Sequence, residues 1–452
     1  MRLIRILSIL LFFYHSFVLA QDSGSLVRQF IKWETEANPT VLKSSKALPI
    51  EHYEIPLDLI KTSFNENFDE ATNRSLIFEK DGKKFVRWII HPDDTKWHKK
   101  VKTFLRSQGF DSSTKNYFKG HYTSSRSLIV IDPTTGHEFG IKVSTNQTGG
   151  YWNSFKRQRW DDAKKIRAIN DMFDHVEDSI GFQYFDIMSE HGAYGIANIN
   201  QSMVVRSIDQ MGISKRHYFP AFAAFDSEWG RKIAKLNGSK KPAQFWNKHL
   251  NKPLAKALAE MAATFGFTFN SPHSQNFLVE LDENFKPTGK IILRDIGDLE
   301  VSRELMDQLG KKDIYKMFNP FFRTRKGFSM KMALIHGTKK PEWMSKDEYK
   351  KWGIEFFQTF EETFSSITGV DRSSLGPKTL KLGGSILPNG GKIDFDGASW
   401  FIKEYKLKGD KWTQWKEHLS SRLGWRKNNS SMRTGRCLEI ILNKLVANHR
   451  LL

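Results

Sequence analysis

The sequence predicts an α+β fold, a mixed antiparallel sheet with flanking helices and a mostly helical C-terminal part. Three observations carry this. Runs of β-branched and aromatic residues occur in pairs across short turns, as in RSLIVIDP and HEFGIKVSTN joined by TTG. Between them lie segments with apolar residues at spacings of three and four. Beyond residue 300 helical segments dominate. At 452 residues, 39% hydrophobic and 13% aromatic, the chain has material for two or three domains and too many aromatics to be disordered.

In chain order, MRLIRILSILLFFYHSFVLAQ places Arg2 and Arg5 before an apolar run. Val18 and Ala20 then stand three and one positions before Gln21. This pattern predicts a cleaved signal peptide over residues 1–20 and an exported protein, periplasmic or secreted, with no membrane span after cleavage. Residues 21–50 are polar and mixed and are expected to form a loose lead-in to an N-terminal region, 21–120. There KKFVRWIIHP reads as a strand, and DDTKWHKKVKTFLRSQGF as a helix that stops at Gly109. The central α/β region, 121–300, opens with the TTG hairpin, whose second strand carries Lys142. SFKRQRWDDAKKIRAINDMFDHV follows as a helix with Ile166, Ile169, Phe173 and Val176 on one face. GIANINQSMVVRSI is expected to be a strand bearing Arg206. PLAKALAEMAATFGF reads as a helix with Pro253 near its start and Gly266 near its end. In 301–452, SRELMDQLGKKDIYKMF, MSKDEYKKWGIEFFQTFEETFSSI and RTGRCLEIILNKLVANH read as helices. The glycine-rich LKLGGSILPNGGKIDFDGASWFIKEY reads as turns and short strands.

The formal net charge of +20 favours anionic partners. The basic residues are spread along the chain without a nucleic-acid module, so nucleic acid is not the expected partner. A single cysteine, Cys437, excludes an internal disulfide in a monomer and a multi-cysteine zinc cluster.

The stretch SPHSQNFLVELDENFKPTGKIILRDIGD, 271–298, concentrates the chemistry. His273, Gln275 and Asn276 lead into an apolar strand. A turn and a return strand end on Arg294 and Asp295, with Gly297 free to let the backbone approach a ligand. Two such strands bring Asn276 and Asp295 to one end of a hairpin. An Asp and an amide oxygen are the ligands Mg²⁺ takes beside phosphates, and a strand lysine such as Lys142 is what the phosphates need. The order His, Asn, hairpin, Asp follows the logic of a kinase catalytic loop and its metal-binding Asp. Gln275 stands where a kinase has its catalytic Asp, and no G-x-G-x-x-G loop precedes Lys142.

On these residues the chain resembles the siderophore synthetases of the IucA/IucC (aerobactin synthase) type, which work without a peptide-synthetase template. HSQNFLVELDENFKPTGKIILRD is similar to their H-x-Q-N … R-D segment, IKVSTNQT to their lysine-bearing strand and SMVVRSI to their arginine-bearing strand. The likeness covers residues 135–300. It implies a kinase-like ATP-binding centre that adenylates a carboxylate with ATP and Mg²⁺. Lys142, Ser144, Thr145, His273, Gln275 and Asn276 would surround the nucleotide, and Asn276 and Asp295 the metal. His273, Arg206 and Arg294 would act in catalysis. The chain departs from that family after Thr145, where no arginine follows until Arg157, and in its leader, since the family is cytosolic.

The leading expectation is an exported ATP- and Mg²⁺-dependent ligase for an anionic carboxylate substrate. A kinase-like phosphotransferase or nucleotidyl transferase acting on a secreted target stays open. So does an inactive module that binds an anion or a protein, and the oligomeric state is open too.

Overall fold

In this computed structural model the described residues are 26–38, 44–123, 126–147, 157–269, 274–303, 323–325, 330–332, 341–369, 380–383, 385–386, 392–393 and 399–402. Residues 26–36 form helix α1, where a loose lead-in was expected. The reason is legible once seen. Leu26, Val27, Phe30, Ile31, Trp33 and Ala37 share one face, and all are buried.

A nine-stranded antiparallel sheet follows, in the order β2-β9-β10-β7-β6-β5-β1-β4-β3. Its strands are β1 Leu48–Pro56, β2 Lys61–Phe64, β3 Ile77–Lys80, β4 Lys83–Ile89, β5 Lys115–Tyr122, β6 Ser127–Ile131, β7 Glu138–Lys142, β9 Gly192–Ile196 and β10 Gln201–Arg206. The segment read as one Arg206-bearing strand is therefore a hairpin. Ala197–Ile199 form a 3-10 turn, and Asn200 in the left-handed region reverses the chain. Helices α2 Glu70–Leu76, α3 Trp97–Ser107 and α4 Trp160–Ile180 flank the sheet. The charged residues 157–159 before Trp160 do not join α4 and carry no regular secondary structure.

Strand alternation splits the sheet's two faces. Leu128, Val130, Phe139, Ile141, Met203 and Val205 pack with Val101, Phe104 and Leu105 of α3. On the other face Val204 packs under Trp160, Ala163 and Ile166 of α4. Lys142 lies opposite Val204 in the β7/β10 ladder and belongs to this second face, with Arg206 two residues further along.

A second sheet, ordered β11-β13-β14-β8, contains β8 Phe185–Ile187, β11 His217–Pro220, β13 Phe277–Leu281 and β14 Pro287–Leu293. The β13/β14 hairpin pairs Phe277 with Leu293, as the sequence predicted. Short helices α5 Gln210–Ser214, α6 Ala221–Ala224, α7 Trp229–Leu236 and α8 Pro242–Trp246 lead to α9 Lys252–Phe265, which Gly266 ends at φ 68°. Helix α9 is buried along its length and shares a core with Tyr349, Trp352, Phe356 and Phe360 of the Lys346–Thr368 helix. Of the C-terminal helices expected from the sequence, only this one lies within the described residues. The glycine-rich segment contributes short strands at Leu380–Gly383, Ser385–Ile386, Lys392–Ile393 and Ser399–Ile402. Among the described residues no helix is long and apolar enough to cross a membrane.

Candidate functional site

Lys142 ends β7 and is 2% exposed. Its ammonium donates to Asp295 Oδ1 and stands 3.6 Å from Glu190 Oε1. Burying an ammonium requires such carboxylates. Arg206, at the end of β10, donates to the same Glu190 oxygen through Nε at 3.0 Å and Nη2 at 2.6 Å. Burial alone would lower the Arg206 pKa, but the Glu190 and Asp295 carboxylates outweigh it and hold it above its ordinary value. Glu190 Oε2 is buried and accepts no hydrogen bond. The Glu190 backbone N–H donates to Asn170 Oδ1 of α4 at 2.9 Å, so the helix fixes where this acid stands.

The backbone conformation at Asp295 aims its carboxylate at Lys142. It sits at φ 60°, ψ 45°, a left-handed conformation that Asp tolerates better than most residues. That conformation breaks β14 and begins the 3-10 turn Ile296–Asp298 before strand β15 Leu299–Ser302. Lys165 of α4 clamps the turn by donating to the Gly297 carbonyl at 2.6 Å. Gly297 was expected to admit a ligand. It lies against α4 instead, where a Cβ would stand 3.3 Å from Ile166 Cγ1.

Arg294 points elsewhere. Its Nη1 donates to Glu34 Oε1 of α1 at 2.7 Å, and its Nε to the Gln275 carbonyl at 2.5 Å. Both partners of this ion pair are buried. Burial lowers the Arg294 pKa, and Arg206 adds to that, while Glu34 opposes it. Arg294 N–H also donates to the Asn276 carbonyl at 3.0 Å, which sets Asn276 beside the Arg294-Asp295 corner. The Asn276 Nδ2 and Ser274 Oγ atoms are buried without a hydrogen-bond partner.

The structure thus brings together Lys142, Arg206, Arg294, Asp295 and the 275–276 backbone, and adds Glu34, Glu190 and Lys165, which sequence reasoning missed. Helical periodicity would have found Glu34 as the one acid on the apolar face of 26–37. Glu190 lies in an aperiodic segment between β8 and β9, and nothing in the pattern marks it. Ser144 and Thr145 are engaged outside the cluster. Ser144 Oγ donates to Gln201 Oε1 at 2.7 Å, and Thr145 Oγ1 accepts from the Gln147 N–H at 3.1 Å. Arg157, the first arginine after Thr145, donates to the Ile199 and Asn200 carbonyls at 2.6 and 2.7 Å. His273 lies outside the described residues.

Chemically, the cluster sets three cations, Lys142, Arg206 and Arg294, against three carboxylates, Glu34, Glu190 and Asp295. Among the described residues no group of three or more His, Cys, Asp or Glu forms a metal cage. Mg²⁺ does not need one. It takes one or two carboxylates and completes its shell with phosphate oxygens and water. Asp295 is one such carboxylate, and the Asn276 backbone stands at the same Arg294–Asp295 corner.

No protein-family model matches this chain, and its sequence matches no curated protein. Solved structures do match. The ATP-bound aerobactin synthetase IucA from a hypervirulent pathotype of Klebsiella pneumoniae is 13% identical, with a TM-score of 0.50 over 77% of this chain and 72% of that one. The petrobactin biosynthesis protein AsbB from Bacillus anthracis str. Sterne is also 13% identical, with a TM-score of 0.51 over 74% of this chain. The chain spans 63% of AsbB's length. Lys142, Asp295 and Asn276 therefore stand in a fold shared with an ATP-bound aerobactin synthetase and a petrobactin biosynthesis protein, the fold that the H-x-Q-N … R-D resemblance implied.

Proposed function

We propose that this protein is an ATP- and Mg²⁺-dependent ligase that activates a carboxylate as its adenylate. The observation that carries the reading is the buried Lys142 ammonium held between Asp295 and Glu190. A rigid strand lysine beside an acid that can hold a metal is what a polyphosphate substrate requires. The shared fold with an ATP-bound synthetase supports it. In the proposed reaction a substrate carboxylate oxygen attacks the α-phosphorus of ATP and pyrophosphate leaves. An amine or hydroxyl then attacks the acyl carbon and AMP leaves. Mg²⁺ supplies charge neutralisation on the leaving phosphates. Asp295 and Asn276 would hold the metal, Lys142 would hold a phosphate oxygen, and Arg206 fixes the Glu190 carboxylate beside Lys142. Arg294 supports the site by fixing the 275–276 backbone. The protein acts outside the cytoplasm after cleavage following Ala20, which mass spectrometry of the mature N-terminus tests.

A second reading rests on two observations. Asp295 and Glu190 already neutralise Lys142, and Arg157 is committed to backbone carbonyls. Both favour a retained anion-binding module without turnover.

Product analysis with Mg-ATP and a panel of di- and tricarboxylates separates the readings. AMP with pyrophosphate means ligation, ADP means phosphoryl transfer, and a thermal shift without product means the module. For the ligase, Lys142→Ala is expected to lower pyrophosphate release by about 100-fold or more, as does loss of a donor that meets developing charge. Turnover unchanged in Lys142→Ala would sink the assignment of this cluster.

A further inference from the structure

A second place in the molecule concentrates charge without answering it. A cavity of about 740 Å³ opens between the C-terminal end of α7, the loop to α8 and the start of the Lys346–Thr368 helix. Its wall carries Arg231, Lys235, Lys240 and Lys241, with Trp343 and Glu348. None of the Lys142 cluster residues lies on these elements.

The cations are poorly balanced. Arg231 meets Glu342 only at 3.8 Å, with both side chains exposed. A pair of that kind contributes little. Lys235, Lys240 and Lys241 have no ion-pair partner among the described residues. Glu348 is already used, because its carboxylate accepts from the Ser345 N–H at 2.7 Å and caps the long helix. Asp347 and Glu348 in the first turn of that 23-residue helix offset its dipole, so the positive field at the cavity comes from Arg231 and the three lysines.

The convergence is imposed by the backbone. Gly238 turns the chain at φ 73°, and its N–H donates to the Lys235 carbonyl at 2.9 Å. Ser239 N–H donates to the Ala234 carbonyl at 2.9 Å, and Ser239 Oγ accepts from the Lys241 N–H at 3.3 Å. The loop thus holds Lys240 and Lys241 at the cavity. Like charges held close repel, and a bound anion relieves that repulsion. The volume falls in the range of small-molecule pockets, about 300–1,000 Å³. Trp343 supplies an aromatic wall beside the cations, and its indole N–H is buried without an acceptor.

We propose that this cavity is a second anion site, which binds a small phosphorylated molecule with its phosphate on Lys235, Lys240, Lys241 and Arg231 and its apolar or aromatic body against Trp343. Lysine is a point-charge phosphate binder and arginine a forked one, so the pair takes phosphate in several orientations.

The test is calorimetric titration of the full chain at low ionic strength with two probes, inorganic pyrophosphate and phenyl phosphate, with and without saturating Mg-ATP. Both probes are expected to bind with dissociation constants between about 10 μM and 1 mM. Lys240→Glu/Lys241→Glu is expected to weaken both by at least about 10-fold. Trp343→Leu should weaken phenyl phosphate several-fold more than pyrophosphate. A control, Lys83→Glu/Lys84→Glu on the β3/β4 hairpin, makes the same change in net charge and should leave both titrations alone. Equal losses in the control and the cavity variant would reduce the effect to net charge and overturn the site. So would no binding of either probe, or loss of both titrations in Lys142→Ala with none in Lys240→Glu/Lys241→Glu, which would put them in the central cluster. If Mg-ATP itself does not bind, the proposed ligase fails while the lysine-dependent titration still stands or falls by itself.

Discussion

At the scale of single residues, the central cluster works because one carboxylate oxygen is shared. Glu190 Oε1 takes two guanidinium contacts from Arg206 and lies within reach of the Lys142 ammonium, while Glu190 Oε2 takes no hydrogen bond. In the proposed reaction, a Lys142 drawn toward a phosphate would leave Glu190 with Arg206 as a strong partner. Not every buried titratable group belongs to this chemistry. His52, on β1, is 2% exposed, and its Nδ1 lacks a partner. Burial first, then Arg87 and Lys115, lower its pKa to about 4. The native state thus holds His52 neutral where the unfolded chain, with a pKa near 6.5, takes up a proton. Its contribution is fully present above pH 6.5 and is lost as pH falls toward 4. The loss amounts to at most about 3 kcal/mol. Urea unfolding at pH 7.5, 6, 5 and 4.5 should show stability falling across that window, and a flatter profile in His52→Leu. The same slope in both proteins would mean another group sets it.

At the scale of elements, α4 is what brings the two halves of the cluster into register. Trp160 at its start packs over Gly195 of β9, where a Cβ would stand 2.1 Å from Trp160 Cε3. Ile166, Asn170 and Lys165 further along hold Gly297, Glu190 and the turn after Asp295. Gly195→Ala forces the indole, and with it the first turn of α4, to shift. The expected cost is about 1–3 kcal/mol, with weakened Mg-ATP affinity because Lys165 no longer meets Gly297 squarely. Both are read from a urea midpoint and a nucleotide titration on one variant. Normal nucleotide affinity in a destabilised protein would show that α4 supports the fold without setting the site. Strand and helix identity were legible wherever pattern was local. The β6/β7 hairpin, the β13/β14 hairpin, α9 with Gly266 and the Lys346–Thr368 helix all follow from alternation, turn residues and caps. The β9/β10 hairpin was hidden because Asn200 makes its turn, inside a run that reads as continuous β. Lys142 and Asp295 could be paired from the sequence because each ends a recognisable strand. Glu190 could not, since its place depends on a hydrogen bond to Asn170 of α4 and on no local period.

At the scale of the whole molecule, α1 is the bridge between the two sheets. Leu26, Val27, Phe30 and Ile31 pack in one core with Ile129 of the large sheet and with Tyr218, Leu278 and Ile292 of the smaller one. Arg28 reaches His121 and Glu138 on the large sheet, each at 2.7 Å, and Glu34 reaches Arg294 at the end of β14. A chain that begins at Gln21 keeps all of this and should match the full chain to within about 0.5 kcal/mol. A chain that begins at residue 40 uncovers both apolar faces and leaves the Arg294 guanidinium buried without its acid. That second effect alone is worth about 3–5 kcal/mol. Glu34→Gln in the full chain isolates it, and Glu34→Gln/Arg294→Met should recover much of the loss, because an apolar pair of similar volume leaves no orphaned charge. Chemical denaturation of these four variants beside the full chain gives the comparison. Stability in the residue-40 chain equal to that of the full chain would mean that the two sheets hold each other without α1. Asp295 would then owe its position beside Lys142 to α4 alone.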